Sequence, residues 1–140
     1  MRGWAYCAIG WAMEAIMTAK TLDLCLQWPP SINGYWRSFR GRQIISVRGR
    51  EYLEYIKGIV LEHNLKGYFG DAKLAVSIRM YPKTKRKFDC DNFTKCLFDS
   101  FSKCNLWHDD EQVYELHISK RKPMKNGFLE IHVQTIKGNE

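Results

Sequence analysis

The stretch richest in potential chemistry runs Lys83-Thr84-Lys85-Arg86-Lys87-Phe88-Asp89-Cys90-Asp91-Asn92-Phe93-Thr94-Lys95, with Asp109-Asp110-Glu111 following. Of the 15 acidic residues, seven fall between positions 89 and 115: Asp89, Asp91, Asp99, Asp109, Asp110, Glu111 and Glu115. Basic segments flank them. Arg37, Arg40, Arg42, Arg48 and Arg50 lie in a stretch without an acid, and Lys120, Arg121, Lys122 and Lys125 form another group. Bare carboxylates beside phosphates would repel a polyanion, but a bound cation reverses the local sign. Oxygen-only ligands favour a hard ion, Mg²⁺ or Mn²⁺, over zinc. Such an ion can orient a phosphate, activate water and stabilise the leaving oxygen. The chemistry indicated is metal-assisted phosphodiester hydrolysis.

The spacing is compatible with one shared site. Residues i and i+2 of an extended backbone share a face and lie roughly 6–7 Å apart. Asp89 and Asp91 would then reach one ion, and Asp91 could also cap the helix that follows. Lys95, four residues on, projects from the same helix face. Its ammonium could stabilise developing negative charge. Phe93, Leu97, Phe101 and Cys104 fall on the opposite, buried face. Asp109-Asp110 reaches this site only if the strand after it lies alongside, which spacing alone does not show. Each signal also has a plain structural reading. D-x-D can be a cap with a solvated neighbour, Asp91 and Lys95 a surface pair, residues 109–111 a solvated loop, and residues 83–87 a solubilising loop. Their combination in one short stretch of a basic chain favours a nuclease.

The elements that must position these groups belong to one domain of 140 residues with 45% hydrophobic content. A net charge of +7 points to a polyanionic partner. Nucleic acid ranks ahead of an anionic membrane, because no basic amphipathic helix with a clean apolar face stands out. Five cysteines without a CxxC give neither a disulfide framework nor a zinc knuckle, and fit free thiols in a reducing cytoplasm. Residues 1–16 resemble a signal peptide weakly. Glu14 interrupts the apolar run, which falls short of the roughly 20 residues of a membrane span. They are expected to be a dispensable extension, with 17–140 as the functional domain. Alternating apolar residues predict strands over 21–27, 43–47, 74–81, 112–121 and 128–135. The 3.6-residue period predicts helices over 51–61 and 92–104. Lys125-Asn126-Gly127 predicts that the last two strands form a hairpin. The fold class is α+β, a mixed sheet with two main helices packed on it.

Several motifs together carry a resemblance: W-P-P-S-x-N (Trp28 to Asn33), the basic run into D-x-D-N (Asp89 to Asn92), Lys95, Phe98-Asp99, and W-x-D-D-x-Q-V (Trp107 to Val113). Over about residues 20–140 the chain resembles the RusA family of Holliday junction resolvases, and the ending Gly138-Asn139-Glu140 is similar too. The resemblance implies a homodimeric, Mg²⁺-dependent endonuclease, often carried by phages and prophages. It would make paired symmetric nicks in four-way junction DNA during recombination and repair, with no nucleotide cofactor and no membrane partner. It assigns Asp89, Asp91 and Asp110 as catalytic, metal-holding acids and Lys95 as the essential lysine, with Asp109 ranked lower. Cys90 departs from the aliphatic residue usual in the family, and residues 1–16 have no counterpart.

Charge makes Arg37, Arg40, Arg42, Lys83, Lys85, Arg86, Lys87, Lys120 and Arg121 the candidate phosphate contacts. Phe88 either wedges into unstacked bases or packs under its loop. Trp28 and Trp107 read as structural, Phe93 as core and His108 as exposed. Two other functions remain open: a non-enzymatic DNA- or RNA-binding module, and a metal-dependent nuclease for flaps or plain duplex.

Overall fold

The computed structural model describes residues 20–136, so the proposed extension 1–16 and the ending 138–140 lie outside the described residues. Its elements are β1 (Thr21–Leu26), α1 (Ile32–Tyr35), β2 (Trp36–Phe39), β3 (Arg42–Ile45), α2 (Val47–Glu62), β4 (Leu74–Tyr81), α3 (Asp91–Lys103), a 3-10 turn (Asp110–Gln112), β5 (Val113–Lys120) and β6 (Phe128–Thr135). The main sheet has the order β1-β6-β4-β5. β6 pairs antiparallel with both neighbours, and β5 runs parallel to β4. The α+β mixed sheet is therefore as expected, with α1 added to the two main helices.

The core follows from two periodicities. Leu74, Val76, Ile78 and Met80 of β4 and Leu129, Ile131 and Val133 of β6 alternate onto one buried face. Tyr52, Ile56 and Val60 of α2 and Leu97, Phe98 and Phe101 of α3 cover that face at helical spacing. Trp107 is wholly buried beneath α3, edge-on to Phe98 and Phe101, and its indole N–H donates to Ser102 Oγ at 2.9 Å. Burial raises the Cys96 thiol to about 11, which keeps it protonated and inert. No helix among the described residues is long and apolar enough to cross a membrane.

Three expectations change. The last two strands do not pair with each other, because β4 lies between them. β4 is the most buried strand and takes the central place. The chain from β5 to β6 crosses its end, with Arg121 N–H donating to Met80 O and Met124 N–H to Pro82 O. Asn33 and Gly34 lie in a one-turn helix capped by Ser31. The strand at 42–45 is half of a separate hairpin with Trp36–Phe39. α2 also begins earlier than its apolar pattern implies, because the Ser46 side chain accepts the Gly49 N–H.

Gly49 makes the junction between hairpin and helix possible. A Cβ there would lie 2.7 Å from Ile45 Cγ2 and 2.8 Å from the Tyr35 carbonyl oxygen. Neither the backbone carbonyl nor the branched side chain yields easily. Gly49→Ala is expected to lower stability by roughly 1–3 kcal/mol through this overpacking, measured as a shift of the urea midpoint at constant m-value.

Candidate active site

Two segments carry the expected carboxylates. Asp89 and Asp91 bracket the start of α3. Cys90 is the residue before the helix, and its φ of −59° and ψ of −41° are already helical. The backbone between the two aspartates is therefore not extended, and the shared-face argument for a strand does not apply. Asp91 is the first residue of the helix rather than its cap, and the Asn92 N–H bonds back to the Asp89 carbonyl at 3.2 Å. An acid in this first turn still complements the helix dipole. Both aspartates are exposed, and no hydrogen bond or ion pair among the described residues holds either carboxylate. Asp91, Lys95 and Asp99 recur every four residues, so they form one stripe along α3. Phe93, Leu97, Phe101 and Cys104 face inward, as expected. The ion pairs within 4.0 Å among the described residues are Arg79–Glu130 and His132–Asp23, so Asp91 and Lys95 are not directly paired.

Asp110 opens the 3-10 turn that leads into β5, and this turn packs against α3. Its carboxyl is raised first by burial, then by neighbouring Asp109; Lys95 acts in the opposite direction, and Asp99 adds repulsion. Asp110 therefore feels the charges of the α3 stripe. The strand after it lies alongside β4 in parallel, with Val113 opposite Leu74, so Asp110 meets the middle of α3 at Lys95 and Asp99. Asp109 is exposed. Its side chain accepts the Glu111 N–H at 3.0 Å, which holds that carboxyl low. That bond occupies Asp109 as a cap.

Gln112 fixes this turn, and sequence reasoning gave it no role. Its Oε1 accepts the N–H groups of His108 and Asp109, both at 2.8 Å. Its Nε2 donates to the Gly70 carbonyl at 3.0 Å and the Ala72 carbonyl at 2.8 Å. The buried amide thus makes all four of the bonds open to it. The signal was available: Asp109-x-x-Gln112 is the spacing of a capping box. Asp99 was likewise legible as the next member of the stripe.

Asp89, Asp91 and Asp110 offer only oxygen donors, which suits a hard divalent cation. Among the described residues, no three His, Cys, Asp or Glu side chains are gathered closely enough to enclose a metal ion. The structure brings Asp110 to Lys95 and Asp99. Asp89 stands apart, and its preceding residue is pinned by Lys120, whose Nζ donates to the Phe88 carbonyl at 2.6 Å and lies 4.5 Å from the Phe88 ring centroid. Lys120 is thus engaged within the protein.

Phe88 is half-buried against Trp28, with centroids 5.3 Å apart, and Phe93 packs on the same indole. Of its two readings, the structure supports packing under the loop. Trp28 is structural, as expected. Lys83, Lys85, Arg86 and Lys87 are exposed in that loop, as are Arg121 and His108. Arg37, Arg40 and Arg42 are exposed on the β2–β3 hairpin. A groove on the open face of the sheet, lined by Asp23, Arg79, His117 and Glu130, contains none of the carboxylates of the site.

The family model for endodeoxyribonuclease RusA matches residues 27–134. Among curated proteins, the crossover junction endodeoxyribonuclease of Enterobacteria phage 82 is 36% identical over 125 residues, which cover 86% of this chain and 99% of that protein. The RusA protein of Escherichia coli K12 is 34% identical over the same length and coverage, and that of Shigella sonnei 35%. With its aspartates at both ends of α3's acidic stripe and a matched region that spans the whole site, the chain belongs to the RusA endodeoxyribonuclease family.

Proposed function

We propose that this protein is a divalent-metal-dependent endonuclease that resolves four-way DNA junctions. The observation that supports the reading is the packing of the turn that carries Asp110 against α3, beside Lys95 and Asp99, in a chain whose relatives are named crossover junction endodeoxyribonucleases. Asp89, Asp91 and Asp110 would hold the ion, Mg²⁺ by preference and Mn²⁺ as the alternative. When bound, the ion supplies Lewis-acid polarisation of the scissile phosphate and a more acidic attacking water. Asp110 lies on a turn held by Gln112, whereas Asp89 and Asp91 are exposed at the start of α3. Lys95 sits one turn along the helix from Asp91 and places an ammonium where phosphate charge develops. Asp99 flanks Lys95 on the same stripe of α3. The exposed Lys83, Lys85, Arg86, Lys87 and Arg121, with the hairpin arginines, bind phosphates and position the duplex arms.

A homodimer would present two such sites about a two-fold axis, which matches the approximate symmetry of a four-way junction and gives paired nicks. Junction preference then comes from DNA shape more than from base contacts. A chain that acts on DNA with free thiols at Cys25, Cys90, Cys96 and Cys104 belongs in the cytoplasm.

Asp91→Asn is expected to keep junction binding and to lower Mg²⁺-dependent nicking by at least about a hundredfold. Gel-shift and cleavage assays on junction, fork and linear DNA of one sequence check this. Equal cleavage of all three by the wild type would assign a different substrate, and no metal-dependent nicking at all would leave a binding module. Gln112→Ala would leave buried amide and carbonyl groups of residues 70, 72, 108 and 109 unpaired. It is expected to cost roughly 2–4 kcal/mol and to lower the nicking rate of the folded protein more than its DNA affinity. Urea unfolding and single-turnover kinetics read the two effects separately.

A further inference from the structure

The β2–β3 hairpin is a separate two-stranded ribbon outside the main sheet. Its base is fixed. Tyr35 is fully buried, Ser46 N–H donates to the Tyr35 carbonyl at 2.8 Å, and the Lys103 ammonium lies 5.2 Å from the Trp36 ring centroid. From residue 37 to residue 43 every position is exposed. The tip is a two-residue turn in which Arg40 (φ 52°) and Gly41 (φ 77°) are both left-handed, the geometry that closes a tight hairpin without splaying its strands.

Phe39 stands at this tip and is 47% exposed. A lone exposed ring is ordinary on a protein surface, but this one has particular surroundings. The Arg37 and Arg40 guanidinium carbons lie 5.6 and 5.2 Å from its centroid, and Arg42 is its partner across the strands. No acidic residue occurs between positions 37 and 50. A ring held between guanidinium groups on a narrow ribbon combines a surface on which a base can stack with cations that hold the adjoining phosphates. A two-stranded ribbon is also narrow enough to enter a DNA groove.

We propose that the hairpin is a base-stacking tip, in which Phe39 inserts against unstacked bases of branched DNA while Arg37, Arg40 and Arg42 hold the flanking phosphates. This rests on the junction-endonuclease reading above and adds to it the group that reads disrupted stacking. Branched DNA offers such bases at low cost, whereas continuous duplex must first be unstacked. The hairpin base packs at the Lys103 end of α3, about 18 Å along the helix from Asp91 at 1.5 Å per residue. The tip therefore engages DNA away from the scissile phosphate and contributes recognition rather than chemistry.

The test measures binding in EDTA, so that cleavage does not intervene, using a four-way junction and a linear duplex of the same sequence with 2-aminopurine at positions flanking the branch. Phe39→Ala is expected to weaken junction binding at least about fivefold, leave linear-duplex binding and the salt dependence unchanged, and abolish the fluorescence rise that accompanies base unstacking. Phe39→Trp is expected to restore both affinity and fluorescence. Arg37→Ala should instead weaken both DNAs and reduce the salt slope by about one. Unchanged junction affinity for Phe39→Ala, or an equal loss on junction and duplex, would overturn the stacking role while leaving the endonuclease reading intact. A wild-type protein that binds no branched DNA at all would overturn both.

Discussion

The arrangement of the site depends on one buried side-chain amide. Gln112 ties two loops together, accepting from the backbone at 108 and 109 and donating to the backbone at 70 and 72. A glutamine amide has one two-lone-pair oxygen and two N–H donors, so this geometry uses its whole capacity. Because the group is buried, any other orientation would leave polar atoms without partners in a poor solvent. The turn that carries Asp110 is consequently fixed relative to the start of β4 and β5. That constraint, rather than any direct bond to Asp110, determines which face of α3 the carboxylate meets.

Placement has electrostatic consequences. Asp110 is partly buried beside two other acids, which favours its neutral form, and beside Lys95, which favours the charged one. A divalent cation would add a much larger positive charge and settle the balance toward the carboxylate. The basic surfaces lie elsewhere, exposed on the 83–87 loop and the β2–β3 hairpin. On the proposed reading, a phosphate would be drawn toward the carboxylates only with the ion in place, which would couple cleavage to metal binding.

Much of this was legible in the sequence. The apolar alternation of β1, β4 and β6 and the inward face of α3 follow from periodicity, because burial on one face imposes it directly. The acidic residues stood out by type and spacing. What the sequence left hidden is relational. Nothing local indicates that β4 inserts between β5 and β6, since Lys125-Asn126-Gly127 is as compatible with a crossing connection as with a hairpin. The Arg40-Gly41 turn lacks the usual asparagine or aspartate, so the ribbon carrying Phe39 was only half visible. The helical conformation of Cys90 overturned an argument that assumed extended backbone between Asp89 and Asp91. Lys120 read as a phosphate contact by charge alone, yet the Phe88 carbonyl takes its ammonium.

The central claim is that Asp110, held by the Gln112 clamp, completes a cation site with the aspartates at the start of α3. Anomalous diffraction from crystals containing Mn²⁺ tests it most directly. The result expected is a peak within about 2.0–2.3 Å of carboxylate oxygens from Asp91 and Asp110, with Asp89 turned toward the same ion. A bound Mn²⁺ that leaves Asp110 out of its coordination shell would contradict the claim.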